Sequence, residues 1–100
     1  MREWEFTPRA RKDLFEIWNY ITQDNPEAAS RVGRAIILAC ELVSDSAFAG
    51  EVREDLAPLP LRFWLVQPYV SYGIVYNSET KPLQIVRIIH GARNLPSSLR

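Results

Sequence analysis

Trp4 and Phe6 alternate with Glu3 and Glu5, a period of two that predicts a short first strand. Thr7-Pro8 follows as a helix start. The threonine oxygen accepts from free backbone N–H groups, and proline, which has no N–H, loses nothing at the first helical position. Leu14, Ile17, Trp18 and Ile21 then form one apolar stripe, with Asp13, Glu16 and Asn19 assigned to the water side. Asp24-Asn25-Pro26 ends this helix and starts another, because proline disfavours helical geometry in the residue before it and Asn25 can cap the second helix. In that second helix Ala29, Val32, Ile36, Ala39 and Val43 make a separate packing seam, so the two helices should form a hairpin.

From Ser44 to Pro60 the periodicity stops, and this stretch is expected to be loop. Branched and aromatic residues then mark three strands, near Leu61 to Gln67, Val70 to Tyr76 and Leu83 to His90, the last two joined by a short connection through Asn77 to Pro82. The predicted order is β-α-α-β-β-β. It describes an α+β domain over residues 1–100, an antiparallel sheet covered on one face by an N-terminal helical hairpin. Residues 91–100, with Pro96-Ser97-Ser98, are expected to form a partly flexible tail.

Composition narrows the chemistry. At 47% hydrophobic and 24% charged residues the chain has material for one core. Twelve basic and twelve acidic residues cancel, leaving no global field to hold nucleic acid without sequence preference. Lys12 and Lys81 are the lysines and the other basic residues are arginines, a bias that suits bidentate contacts. One cysteine, Cys40, and one histidine, His90, give no ligand spacing for structural zinc, and no metal or cofactor is expected. The N-terminus has no signal-peptide core, and no run approaches the roughly 18 apolar residues of a membrane span, so a cytoplasmic location is expected.

Four blocks together resemble a known family: FTPRARKDLFEIWNYITQDNPEAASR, AGEVREDL, RFWLVQPYVSYGIVYN and PLQIVRIIHGARNL. In this order they look like the toxins of the RelE/ParE superfamily of bacterial type II toxin–antitoxin systems, with the strand-His-Gly-Ala-Arg ending typical of the ParE branch. The resemblance implies the same β-α-α-β-β-β fold and a cognate antitoxin whose C-terminal segment wraps and neutralises the toxin. It also implies one of two mechanisms: ParE-like toxins poison DNA gyrase by protein contact, whereas RelE-like toxins cut mRNA in the ribosome. Operator DNA would be reached only through the antitoxin.

Cleavage of RNA needs a proton acceptor, a proton donor and cations around the phosphate, and the residues available are His90, Arg87 and Arg62. By strand parity Arg87 and His90 point apart unless a bulge intervenes. RelE-type enzymes resemble one another in carrying basic residues in the loop before the sheet. Here that loop reads Glu51-Val52-Arg53-Glu54-Asp55, which would repel a phosphate backbone. The reading adopted is therefore a gyrase-directed toxin that meets its target through His90, Arg93, Asn94 and Arg100, without catalysis. The alternatives are a ribosome-dependent endoribonuclease and a non-toxic member of an autoregulatory complex. Leu14, Trp18 and Ile21 are the candidate antitoxin-binding residues, in competition with a plain core role.

Overall fold

A computed structural model describes residues 3–53, 55 and 59–91. The elements run β1 (Trp4–Phe6), α1 (Pro8–Asp24), α2 (Pro26–Asp45), β2 (Glu51–Val52), β3 (Leu61–Leu65), β4 (Tyr72–Asn77) and β5 (Leu83–His90). Both helix starts are built as their sequences require. Thr7 Oγ1 accepts from the Ala10 N–H at 3.2 Å and Asn25 Oδ1 accepts from the Ala28 N–H at 3.0 Å, each cap followed by proline. Asn25 is the whole connection between the helices, since its own N–H still bonds the Ile21 carbonyl while its side chain opens α2.

The sheet order is β1-β5-β4-β3-β2. β3, β4 and β5 are antiparallel as expected, but the sheet is mixed: β1 lies parallel to β5, with Trp4 opposite Leu83 and Phe6 opposite Ile85. A parallel neighbour requires the chain to return to the same end of the sheet, and the helical hairpin makes that return. A second departure is β2. Part of the expected loop pairs with β3, Glu51 opposite Phe63 and Val52 opposite Arg62, and forms the far edge. β4 starts two residues later than its apolar run, because Val70 and Ser71 are used in the turn that closes with the Val66 N–H on the Tyr72 carbonyl at 2.9 Å.

The main core lies between the hairpin and one sheet face, where Val32, Ile36, Ala39 and Val43 of α2 meet Ile74, Tyr76, Ile85 and Ile88. Residues of alternate parity, Leu61, Phe63, Val75 and Ile89, make a second cluster on the opposite face. Each large aliphatic side chain removed from water in the main core contributes about 1.5–3 kcal/mol, which is what holds the hairpin onto the sheet.

Candidate functional site

Strand β1 pairs with β5 only as far as Ile85, so the rest of that edge must satisfy its backbone polar groups in another way. The start of α1 supplies the partners. The Thr7 N–H bonds the Ile85 carbonyl at 3.0 Å, and Thr7 Oγ1 donates to the Val86 carbonyl at 3.0 Å. Nearly two turns further on, Asp13 Oδ2 accepts from the Ile88 N–H at 3.0 Å. The same carboxylate holds Arg87 in a two-bond fork, Nε to Oδ2 at 2.7 Å and Nη2 to Oδ1 at 3.3 Å, and takes a further bond from Arg9 Nε at 3.3 Å. Asp13 is 6% exposed. Its assignment to water is therefore corrected: it lies in one row with Ile17 and Ile21, one and two turns on, and faces the sheet edge.

A bulge exists, but it precedes Arg87 instead of separating it from His90: Arg87 to His90 pair without interruption with Val75 to Tyr72, so the two side chains leave opposite faces and Arg87 reaches the cavity around the free edge of β5. Arg87 is opposite Val75 but Ile85 is opposite Tyr76, which leaves Val86 without a partner in the register. Beyond it Arg87 and His90 line one polar cavity of about 310 Å³ together with Arg9, Asp13, Glu16 and Tyr20. The His90 ring stacks on Tyr72, centroids 4.7 Å apart and planes within 17°. Burial, and then the nearby Tyr20 phenol, push the Tyr72 hydroxyl above its ordinary pKa. Gly91 closes the strand in the left-handed region, at a φ of 74° that favours glycine, and its N–H bonds the Ser71 carbonyl at 2.7 Å.

Arg62 does not join this cavity. It stands opposite Tyr76, four residues along β4 from the Tyr72 that pairs with His90, a separation of roughly 13 Å along the strand. There its guanidinium donates to the carbonyls of Gly50 at 2.9 Å and Phe48 at 3.4 Å, and lies 4.8 Å over the Phe48 ring. It holds the chain between α2 and β2. The three residues proposed for RNA cleavage are thus not assembled: Arg87 and His90 are together, Arg62 is elsewhere. Arg53 of the acidic segment is also engaged, in two bonds to Asp55 at 3.0 and 3.1 Å. Arg93, Asn94 and Arg100 lie outside the described residues.

On the other side of α1 an open apolar groove of about 700 Å³ runs between the helices. Leu14 and Trp18 line it, but Ile21 does not; Ile21 packs against the main core. Phe15, Ala29, Ile37 and Leu38 complete the apolar lining, with Arg11 and Arg34 also at the groove. Phe15 is 63% and Leu38 65% exposed, a concentration of large apolar surface that water-facing helix positions do not ordinarily carry. Sequence reasoning missed both because each is one position off its stripe. The available signal was that the two helices have apolar residues outside their core seams. Gly33 lowers the groove floor, since a Cβ built there has nothing within 4 Å.

Among the described residues no group of three or more His, Cys, Asp and Glu side chains could hold a metal ion, and no helix is long and apolar enough to cross a membrane.

No curated protein matches the chain. Among solved structures, a chain of the chromosomal ParDE TA system from P. aeruginosa superposes with a TM-score of 0.70 at 23% identity, over 87% of this chain and 92% of that one. That likeness bears on the fold. The family model described as the ParE toxin of the type II toxin–antitoxin system, parDE, matches residues 4–95, nearly the full length. The chain therefore belongs to the ParE family of type II toxins.

Proposed function

We propose that this chain is a cytoplasmic toxin that inhibits DNA gyrase by protein contact, through the end of β5 at His90 and the residues Arg93, Asn94 and Arg100 beyond it. A cognate antitoxin silences it by seating an apolar segment in the α1–α2 groove against Leu14, Phe15, Trp18 and Leu38. Arg11 and Arg34 favour acidic residues flanking that segment. Operator DNA is bound through the antitoxin, consistent with a toxin whose charges sum to zero.

The observation that carries the reading is the commitment of the cations. Stabilising a phosphate as charge develops needs donors free to turn toward it. Arg87 is held by a buried carboxylate, and Arg62 by two backbone carbonyls and an aromatic ring.

The test is supercoiling of relaxed plasmid by purified gyrase with the toxin added, alone and with antitoxin. Inhibition that antitoxin relieves is expected. Undisturbed supercoiling alongside cleaved transcripts in cells would overturn the proposal in favour of a ribosome-dependent endoribonuclease, and normal growth on expression without antitoxin would favour a non-toxic autoregulatory component.

A further inference from the structure

We infer that Asp13 is a positioning residue for the target contact: its buried carboxylate fixes the bulged end of β5 and thereby the direction in which His90 is presented. The inference rests on the target reading proposed above. It begins from an unpaired edge. Past Ile85 strand β5 has no β1 partner, and a bulge at Val86 removes one rung of its ladder with β4, so the segment that presents His90 is held by fewer sheet bonds than the strand before it.

Asp13 replaces what is missing. It takes the Ile88 N–H, the Arg87 fork and Arg9 Nε, four bonds whose donors are a backbone amide and two guanidinium groups. A carboxylate is suited to this because both its oxygens only accept, whereas a carboxamide of the same size turns one of them into a donor facing Arg87. Two residues after Ile88 the His90 ring lies on Tyr72, and one residue later Gly91 is tied to Ser71. The strand end is thus clamped from β4 on one side and from α1, through Asp13, on the other. Release of the α1 clamp frees Ile88 and with it the His90 stack. The antitoxin groove uses another row of α1, Arg11, Phe15 and Trp18, and does not depend on these bonds.

The test uses the full-length toxin purified from its antitoxin complex, as wild type, Asp13→Asn, His90→Ala and the double variant. Four quantities are read: Ile88 amide exchange, the His90 ring resonances, gyrase inhibition and antitoxin affinity. For Asp13→Asn the Ile88 amide is expected to exchange about tenfold faster or more. The His90 ring resonances should move as stacking is lost, and the inhibitory concentration should rise about tenfold. Antitoxin affinity should stay within about twofold of wild type. Adding Asp13→Asn to His90→Ala should then cost little further potency, since both changes remove one contact.

Unchanged His90 resonances and Ile88 exchange in a folded Asp13→Asn protein would overturn the inference, as would fully additive losses in the double variant. If Asp13→Asn does not fold, Arg87→Lys keeps the Ile88 bond while replacing the fork with a single ammonium; it should shift the His90 ring part of the way, and an unmoved ring would again overturn the inference. If wild-type toxin leaves gyrase active, the target reading fails, and the two spectroscopic measurements alone decide whether Asp13 positions His90.

Discussion

Replacing Tyr76 by phenylalanine would remove one oxygen from the least exposed part of the core and leave the ring in place. That oxygen accepts from the Gly50 N–H at 2.8 Å and donates to the Ala47 carbonyl at 2.8 Å, so it fixes both ends of the turn that leads from α2 to β2. Tyr76 is fully buried, and its ring stays in place when the oxygen is removed. A buried N–H left without an acceptor costs about 1–3 kcal/mol, and the lost bond to Ala47 adds about 1 kcal/mol, for a total of roughly 2–4 kcal/mol. Native domains of this size are stable by only about 5–15 kcal/mol. At about 4–8 °C per kcal/mol, the melting temperature should fall by at least roughly 10 °C.

Urea unfolding followed by tryptophan fluorescence measures the change directly: the midpoint should drop while the slope stays constant, because the surface exposed on unfolding is unchanged. A loss below about 1 kcal/mol would refute the reasoning, since it would mean that the Gly50 amide finds another acceptor or that the turn was never held by this hydroxyl. The substitution also has a signature in alkali. Burial, against weaker opposing effects of the Gly50 N–H and Arg62, raises the Tyr76 pKa above the ordinary phenol value of 10.0. A raised pKa means the neutral phenol is favoured in the folded state, so this contribution is complete below pH 10 and is lost as pH rises through the folded-state value.

Wild-type stability should therefore fall as pH climbs past 10, the more so because the Tyr72 pKa is also raised, and Tyr76→Phe should show a shallower alkaline decline in pH-resolved melts. Gly50→Ala should destabilise by about 1–3 kcal/mol in urea, because the added Cβ would meet the Tyr76 hydroxyl and lie 2.9 Å from the Phe63 carbonyl oxygen. Arg62→Ala should lower stability by about 1–2 kcal/mol and leave growth inhibition intact in an expression assay; lost toxicity at unchanged stability would restore Arg62 to a role against a target. Gly33→Leu should fill the groove without strain, weakening antitoxin binding about tenfold or more in calorimetry while preserving action on the target. An unaltered affinity would place the antitoxin elsewhere.

The elements were legible where one local rule decided them. Thr7-Pro8 and Asn25-Pro26 state their helix starts within two residues, and the branched run Leu83 to His90 occupies the strand it predicts. What escaped depended on pairings distant in the chain. The parallel placement of β1 is set by where the hairpin returns, and two residues of β2 become a strand only because Arg62 and Phe63 lie beside them. Asp13 shows why the site was harder still. Its side chain reads as solvated by composition, and its burial becomes tolerable only when Arg87, Arg9 and an orphaned Ile88 amide converge on it. Arg62 errs in the opposite direction: a cation on a strand invited a catalytic role, and the carbonyls that occupy it come from a loop without periodicity.

Helix α1 ties these observations together. A helix laid on a sheet hides one stripe of its surface and leaves the flanks free. Here Leu14, Ile17 and Ile21 pack against the core, Leu14 also reaching the flank of Arg11, Phe15 and Trp18, while Arg9, Glu16 and the buried Asp13 line the other side. The flanks differ in chemistry as sharply as two surfaces for different partners should, one apolar and open, the other polar and clamped to β5. They are separated by no more than a helix diameter, about 10 Å. An antitoxin seated in the groove would therefore stand within one helix width of the polar cavity that includes His90, close enough to exclude a large target by bulk alone. If the target meets the end of β5 and an antitoxin the α1–α2 groove, as proposed, neutralisation needs no contact with His90 itself, because the two surfaces are lined by separate sets of side chains on a single helix.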